Sequence, residues 1–445
     1  VNGSDHVAIV GGGYAGLGVA YQLGKRGVAT TIFESEETVG GLAASFDVGG
    51  TQLERFYHHW FNSDTTVLRL VRELGLQDCL VRRNSNTGTY CDGRIYRLSG
   101  PLDVLRFSPL SLRNRFRLGK LALAAKNTRN WRELESITAE EWLVELGGRR
   151  VYDVVWRPLL QGKFGDHAGE IAAVWIWNKL RLRGGSRGKR QREELLYMKG
   201  GFARLTRALA ERVSAMGCDI RTSTPVRQVK TRAGRVTGLV LGDGTEIVCD
   251  TAVVTTAPEP TLNMLEGPPP ELAERLRAIP YLASQCVILE LDRSLSQTYW
   301  LNVNDTQSPF VGVIEHTNFE PADAYGGHHI VYLSKYLPKS HRHFWMGEQP
   351  LTAEYADYLP RIFPEFRSEW VLRSHVWRAP YAQPVVLRGY RELVPPRRTE
   401  IDGLWLCNMA QVYPEDRGTN YALQHGFECA HEIVAAASER QRVAA

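Results

Sequence analysis

What this chain of 445 residues has little of narrows its chemistry first. Its seven cysteines are odd in number, scattered and never spaced C-x-x-C. That pattern excludes a disulfide framework and a zinc ribbon, and makes a reducing cytoplasm the expected setting. No apolar run approaches the roughly 20 residues that cross a bilayer. No basic stretch followed by an apolar core opens the chain, so no secretory signal is expected. Repeats and low-complexity tracts are missing too. Neither H-E-x-x-H nor G-x-x-x-x-G-K-[ST] occurs, so zinc-protease and P-loop chemistry lack a nucleus. With 43% hydrophobic and 23% charged residues the composition is that of an ordinary globular protein, and the length suggests two or three domains rather than one core.

Glycine is concentrated at the start. His6 to Val10 reads as a buried parallel strand, and Gly11, Gly13 and Gly16 follow as G-x-G-x-x-G where a helical pattern begins. The first glycine permits a tight turn, the second lets a pyrophosphate approach the backbone, and the third lets helix pack on strand. The helix N-terminus then faces the phosphates. Such a turn alone is weak, since glycine-rich strand-to-helix turns also serve packing. Glu34 strengthens it, because it closes the second apolar strand, TTIF, about 20 residues beyond the turn, where a carboxylate accepts the ribose hydroxyls of an adenosine. An acid there argues against a 2′-phosphate.

Beyond Glu34 the chain reads SEETVGGLAASFDVGG, and with it resembles the flavoprotein superfamily of protoporphyrinogen oxidase, monoamine oxidase, phytoene desaturase and UDP-galactopyranose mutase. There the ribose-binding Glu is followed by a short loop and a Gly-Gly pair beside the FAD diphosphate, matched here by Gly40 and Gly41. The resemblance implies FAD, held by Gly11, Gly13, Tyr14, Ala15 and Gly16, by Glu34 and Ser35, and by Gly40, Gly41 and Leu42. Later segments recur in the same order. KGGFARL opens the helix that re-enters the FAD domain, TPVRQV implies a backbone contact to adenine at Val226, and VVTTAP is a strand-end turn close to the cofactor that includes Ala257. In LWLCNMA, Asn408 takes the place of a usual glycine and Met409 that of the acid holding the ribityl chain. This is a departure from the superfamily, for which Asn408 offers an alternative hydrogen bond. DRGTNYALQHG turns into a helix whose N-terminus favours negative charge on a reduced ring, so Gly418, Thr419 and Asn420 are expected to present backbone amides to the flavin.

The fold class implied is α/β: a Rossmann-like FAD-binding domain of glutathione-reductase type, an inserted helical domain and an antiparallel-sheet substrate domain. Residues 1–65, 195–260 and 395–445 are assigned to the FAD-binding domain. Residues 101–194 are the helical insertion, in which SPLSLRNRFRLGKLALAAKN and SITAEEWLVELGG combine cap residues with amphipathic periodicity. Residues 66–100 and 261–394 make the sheet-rich substrate domain, on the strand patterns of CVILELDR, FVGVIEH and HHIVYLSKYL. Asp243-Gly244 marks a hairpin.

Net charge is only +5, yet KLRLRGGSRGKRQREE gathers Lys179, Arg181, Arg183, Arg187, Lys189, Arg190 and Arg192 among glycines. The stretch reads as a solvated loop, as a gate for a phosphorylated substrate, or as a patch that meets an anionic surface. Arg181 and Arg183 are candidate substrate contacts. Nucleic acid is not an expected partner, because no aromatic residues alternate with these charges. By the resemblance, LERFYHHWF turns beneath the flavin, which makes His58, His59 and Tyr57 catalytic candidates. A histidine there accepts a proton as hydride leaves an alcohol or amine carbon, or hydrogen-bonds the ring and tunes it. UDP-galactopyranose mutases carry Gly-Ala-His-x-Phe-His there, similar in placement but a different motif. Trp377, Tyr381 and Tyr421 are further candidate substrate contacts, though Trp377 and Tyr381 suit ordinary packing equally well.

Three functions stay open. The leading one is an FAD-dependent oxidoreductase that takes hydride from a C–H next to oxygen or nitrogen, or desaturates a C–C bond. Its substrate is a small polar molecule, sugar-like or a secondary metabolite, and its electron acceptor is oxygen or another molecule. The second is a non-redox flavoenzyme resembling UDP-galactopyranose mutase, in which the basic loop holds the diphosphate of a nucleotide sugar. The third is a non-catalytic escort protein, against which the intact glycine turn and Glu34 argue. No motif names the substrate or the oligomeric state.

Overall fold

The computed structural model describes residues 6–98, 100–185 and 194–444. Val7–Val10 are four small or β-branched residues, all buried, as a central strand covered on both faces demands. The strand pairs in parallel with Thr30–Phe33 on one side and Thr251–Val254 on the other, and Cys218–Arg221 and Leu404–Leu406 add the outer strands. Register sets Val10 beside Phe33 and Val254, and Val254 beside Leu406. The strands therefore end together, and their carboxyl edge forms the rim where ligands bind in open sheets of this kind.

On one face, the helices Tyr14–Gly24 and Thr419–Ala444 share a core with Ile9, Ile32 and Val253. They approach so closely that a Cβ on Gly426 would fall 2.4 Å from the Ala15 carbonyl oxygen. On the other face lies a three-stranded antiparallel sheet, Val226–Arg232, Arg235–Leu241 and Glu246–Val248, packed on Ala8, Val10 and Val254. Its Asp243-Gly244 turn is closed by the Asp243 carboxylate accepting the Thr245 N–H at 2.9 Å.

A seven-stranded sheet forms the second layer system, in the order Val371–Pro384, Tyr281–Leu291, His329–Leu337, Gly312–Glu315, Trp300–Val303, Thr87–Cys91, Arg94–Arg97. All its pairs are antiparallel except Trp300–Val303 with Thr87–Cys91, which run parallel. The sheet is therefore mixed. Its Thr87–Cys91 strand arrives from far earlier in the chain, so no hairpin forces the opposite direction. The helix Glu348–Ile362 covers one face.

A further group is made by the helices Pro101–Arg106, Leu112–Asn127, Ala139–Gly147, Arg157–Phe164 and Ala173–Gly185. Thr138 starts one of them with a reciprocal cap. Its hydroxyl accepts the Glu141 N–H at 3.1 Å, and the Glu141 carboxylate accepts the Thr138 N–H at 2.7 Å. Trp142, Phe164, Trp175 and Trp177 from these helices share a core with Leu282, Val385, Val386 and Tyr390. Among the described residues no helix is long and apolar enough to cross a membrane.

Candidate active site

The carboxyl rim of the parallel sheet opens into a cavity of about 580 Å³. Gly11, Gly13, Tyr14 and Ala15 line it from the first turn, with Glu34, Ser35, Gly40, Gly41, Leu42 and Val226 around them. The turn is as tight as glycine alone allows. Gly11 has φ of +105°, and a Cβ on Gly16 would lie 2.0 Å from the Gly11 carbonyl oxygen. Gly16 thus serves the packing of helix on strand and does not line the cavity. A Cβ on Gly13 would meet only the Gly41 Cα, at 3.8 Å, so a ligand can approach the backbone there.

Glu34 is 6% exposed. Its Oε2 accepts the Gly12 N–H at 2.6 Å, and its Oε1 accepts the Glu36 N–H at 2.9 Å and the Ser35 hydroxyl at 3.2 Å. A carboxylate offers about four acceptor sites, so one remains for a ligand hydroxyl. Ala257, Asn408, Met409, Gly418 and Thr419 line the cavity elsewhere. Asn408 Oδ1 accepts the Ala410 N–H at 3.0 Å, while its Nδ2 is buried without a partner among the described residues. A buried orphan donor is costly unless a ligand accepts from it.

A second cavity, of about 310 Å³, abuts the first, and Leu42, His58, Arg417, Gly418 and Thr419 line both. Its walls are aromatic, with Tyr57, Trp60, Trp156, Trp175, Trp300 and Tyr336 among them. Three cations line it as well: Lys163, Lys179 and Arg417. Lys163 Nζ lies 4.7 Å from the Trp175 ring centre, 5.2 Å from that of Tyr336 and 3.7 Å from Asp416 Oδ2. Lys179 pairs more closely with the same carboxylate oxygen, and Gln383 donates to Asp416 Oδ1 at 3.1 Å. Arg417 donates to Gln383 Oε1 at 2.9 Å and to the Tyr336 hydroxyl.

Burial pulls the Lys163 ammonium down from 10.5 to about 7, with Asp416 opposing and Lys179 and Arg417 assisting. Burial also works against the Asp416 carboxylate, yet Lys179, Lys163 and Arg417 together hold it well below the ordinary carboxylate range. The other carboxyl in the wall, Asp64, accepts the Phe61 N–H at 2.9 Å and is pushed by burial up to about 6.

His58, His59 and Tyr57 all line the second cavity. His58 Nδ1 is 2.5 Å from the Phe56 carbonyl oxygen. A carbonyl only accepts, so Nδ1 carries the hydrogen and Nε2 the lone pair. Burial lowers this imidazole to about 4, which keeps it neutral at pH 7. His59 Nδ1 is 3.3 Å from the Tyr299 hydroxyl, and its ring meets Phe61 and Trp300 edge-on. The Tyr57 hydroxyl is 3.4 Å from that of Tyr336, and burial raises its phenol well above the usual value.

Other candidates fall elsewhere. Tyr421 and Asn420 line the second cavity and not the first, and Asn420 Oδ1 accepts the Val67 N–H at 3.1 Å. Tyr381 lines the cavity of the glycine turn, its hydroxyl accepting from Lys339 Nζ at 2.9 Å. Trp377 lines neither cavity; it stacks under the Arg55 guanidinium, 4.5 Å away, beside Phe46. Arg181 lines neither as well, lying 3.9 Å from Glu415 and 4.9 Å over the Trp177 ring. The Arg183 side chain and Arg187, Lys189, Arg190 and Arg192 lie outside the described residues. A G-x-S-x-G string runs from Gly184 to Gly188; Gly184 and Gly185 close the helix Ala173–Gly185, and Ser186 lies outside the described residues.

Sequence reading misses Lys163, Asp416 and Trp175. Asp416 and Arg417 stand inside the quoted DRGTNY, where two opposite charges before a glycine are a faint signal. Lys163, in QGKFG, has none.

A profile of flavin-containing amine oxidoreductases matches residues 14–434. The chain belongs to that family. FAD is its cofactor, and the first cavity fits it: open backbone over Gly13, a buried carboxylate at Glu34 and an orphan amide at Asn408 are features that such a ligand satisfies. Coproporphyrinogen III oxidase from Staphylococcus aureus is 24% identical over 289 residues, 58% of this chain, and the match spans only 61% of that relative's length. Reduced UDP-galactopyranose mutase superposes with a TM-score of 0.77 at 16% identity, over 97% of this chain and 96% of the other. Putrescine oxidase bound to putrescine gives 0.71 at 17% identity, over 97% and 99%. At these identities the structural likeness is one of fold.

Proposed function

We propose that this flavin-containing oxidoreductase dehydrogenates a substrate with an apolar body and a neutral or anionic polar group, and that it rejects protonated amines. The observation that supports this is the charge of the aromatic cavity. Lys179 and Arg417 line it as cations, joined by Lys163 when that amine is protonated, against two carboxyls, Asp416 and Asp64, that already accept from the protein. A cationic amine set beside one of these cations meets repulsion of about 4 kcal/mol at 4 Å for an effective dielectric of about 20. A carboxylate or phosphate gains by the same amount. Walls of Trp and Tyr suit an apolar body better than the small polar, sugar-like molecule that the sequence suggests.

Bound FAD supplies a two-electron acceptor for a C–H bond next to oxygen or for a C–C bond being desaturated. Glu34 is assigned to the ribose, Gly11–Gly13 and Gly40–Gly41 to the diphosphate, Val226 to the adenine side, and Asn408, Gly418 and Thr419 to the ribityl and ring end. Lys163, near 7, is matched to take a proton at neutral pH. His58 is far weaker as a base and acts as a neutral acceptor that orients substrate where the cavities join. The aromatic rings exclude water. In this scheme residues 1–65, 195–260 and 395–445 hold the cofactor, and the helical insertion and large sheet enclose the substrate.

Anaerobic visible spectra of the FAD-loaded protein test this against putrescine, apolar alcohols, porphyrinogen carboxylates and nucleotide sugars. Bleaching by alcohols or carboxylates but not by the amine is the expected result. Bleaching by the amine alone overturns the proposal. Isomerisation of a nucleotide sugar by dithionite-reduced protein, without bleaching by any compound, assigns the mutase-like reaction instead.

A further inference from the structure

Among the described residues nine large apolar side chains are exposed, and five of them sit on two adjoining helices: Leu102 and Leu105 on Pro101–Arg106, and Leu112, Phe116 and Leu123 on Leu112–Asn127. Their exposure runs from 44% at Leu105 to 70% at Phe116. Arg115 ties the two helices together, donating to the Leu105 carbonyl at 2.6 Å and to the Leu110 carbonyl at 2.7 Å.

A helix advances about 100° per residue, so Leu112, Phe116 and Leu123 fall within about 40° of one another. Leu118, Leu121 and Ala125 are the buried residues of the same helix and occupy the opposite side. The helix therefore has two apolar faces, although a surface helix needs only the one that meets the core. Exposed Arg113 and Lys120 flank the outer stripe on one side and Lys126 on the other. Residues 101–132 contain eight basic side chains and one acidic, Asp103. That surplus exceeds the net +5 of the whole chain, so positive charge is concentrated where the apolar side chains are exposed.

We propose that this face docks on an anionic lipid bilayer, with Leu112, Phe116 and Leu123 entering the acyl boundary and Arg113, Lys120 and Lys126 meeting lipid phosphates. Leu and Phe bordered by Lys and Arg is the chemistry of a helix that lies in the membrane plane, and the long basic side chains reach outward from the apolar stripe to the headgroups. Charge complementarity selects the occupant: a surplus of cations around an apolar stripe fits a negatively charged surface and disfavours a second copy of the same basic face.

Co-sedimentation of the FAD-loaded 445-residue protein with vesicles tests it, using phosphatidylcholine alone or mixed with phosphatidylglycerol. The protein is expected to bind the mixed vesicles at least tenfold more than the neutral ones, and to be released by high salt. The triple change Leu112→Ser, Phe116→Ser and Leu123→Ser should abolish binding with the FAD absorbance unaltered. Arg113→Glu with Lys120→Glu should weaken it at low salt. Failure of the unaltered protein to bind mixed vesicles overturns the proposal, as does undiminished binding by the folded triple variant. A lipid-free dimer that the triple variant dissociates, with no vesicle binding, assigns the face to a second copy instead.

Discussion

Lys163, on the helix Arg157–Phe164, and Asp416, in the turn before the C-terminal helix, meet across the aromatic cavity with Nζ 3.7 Å from Oδ2. Burial lowers the lysine, and the carboxylate raises it part of the way back to about 7.

Lys163→Met is expected to retain FAD yet slow anaerobic flavin bleaching by about 10²- to 10⁴-fold, the usual worth of a positioned base. Only the neutral amine accepts a proton, so the unaltered protein should speed up as pH rises through about 7, and the Met variant should lack that limb. Asp416→Asn removes the group that raises the Lys163 value, so the limb should move to lower pH. Stopped-flow bleaching against pH reads both, and a Met variant as fast as the parent removes Lys163 from the chemistry.

Gly13 and Gly16 should separate cofactor from fold. A side chain at Gly16 collides with the Gly11 carbonyl, whereas one at Gly13 meets only ordinary contact with Gly41. Gly16→Val should lower the melting temperature sharply. Gly13→Val should leave melting of the FAD-free protein within a few degrees of the parent while FAD per chain falls. Full FAD content in the Gly13 variant would remove the diphosphate from this turn.

Asn408→Ser keeps an oxygen able to cap the Ala410 N–H and removes the orphan Nδ2 donor. The loss of one hydrogen bond should weaken FAD retention by about tenfold. Fluorescence titration of the stripped protein with FAD measures this, and unchanged affinity shows that Nδ2 does not reach the cofactor.

Glu54 should dominate one part of the pH dependence of stability. It is 1% exposed, accepts the Tyr197 hydroxyl at 2.7 Å and the Phe202 N–H at 2.5 Å, and burial pushes its carboxyl up from 4.5 to about 7. The folded value lies above the unfolded one, so this contribution is complete below pH 4.5 and is lost as pH rises to about 7, by roughly 3 kcal/mol. Glu54→Gln should flatten that slope in denaturant titrations run across the same interval. A slope equal to the parent's assigns it to other groups.

The features legible in the amino-acid order are those whose cause lies within a few residues. The Gly11–Gly16 turn follows from φ and close packing, the Thr138 cap from its Glu three positions on, and the Asp243-Gly244 hairpin from turn chemistry. Glu34 is legible at longer range because strand length holds its distance from the turn nearly constant. Side chains joined by packing carry no such local mark. Trp377 and Arg181 read as candidate substrate contacts, yet the former is taken up by Arg55 and the latter by Trp177 and Glu415. Only tertiary structure decided that Lys163 reaches Asp416, that His58 sits where two cavities join, and that the Thr87–Cys91 strand runs parallel to its partner. Each depends on chain segments far apart in sequence, whose mutual position is set by the burial of whole helix and sheet faces rather than by any neighbour along the chain.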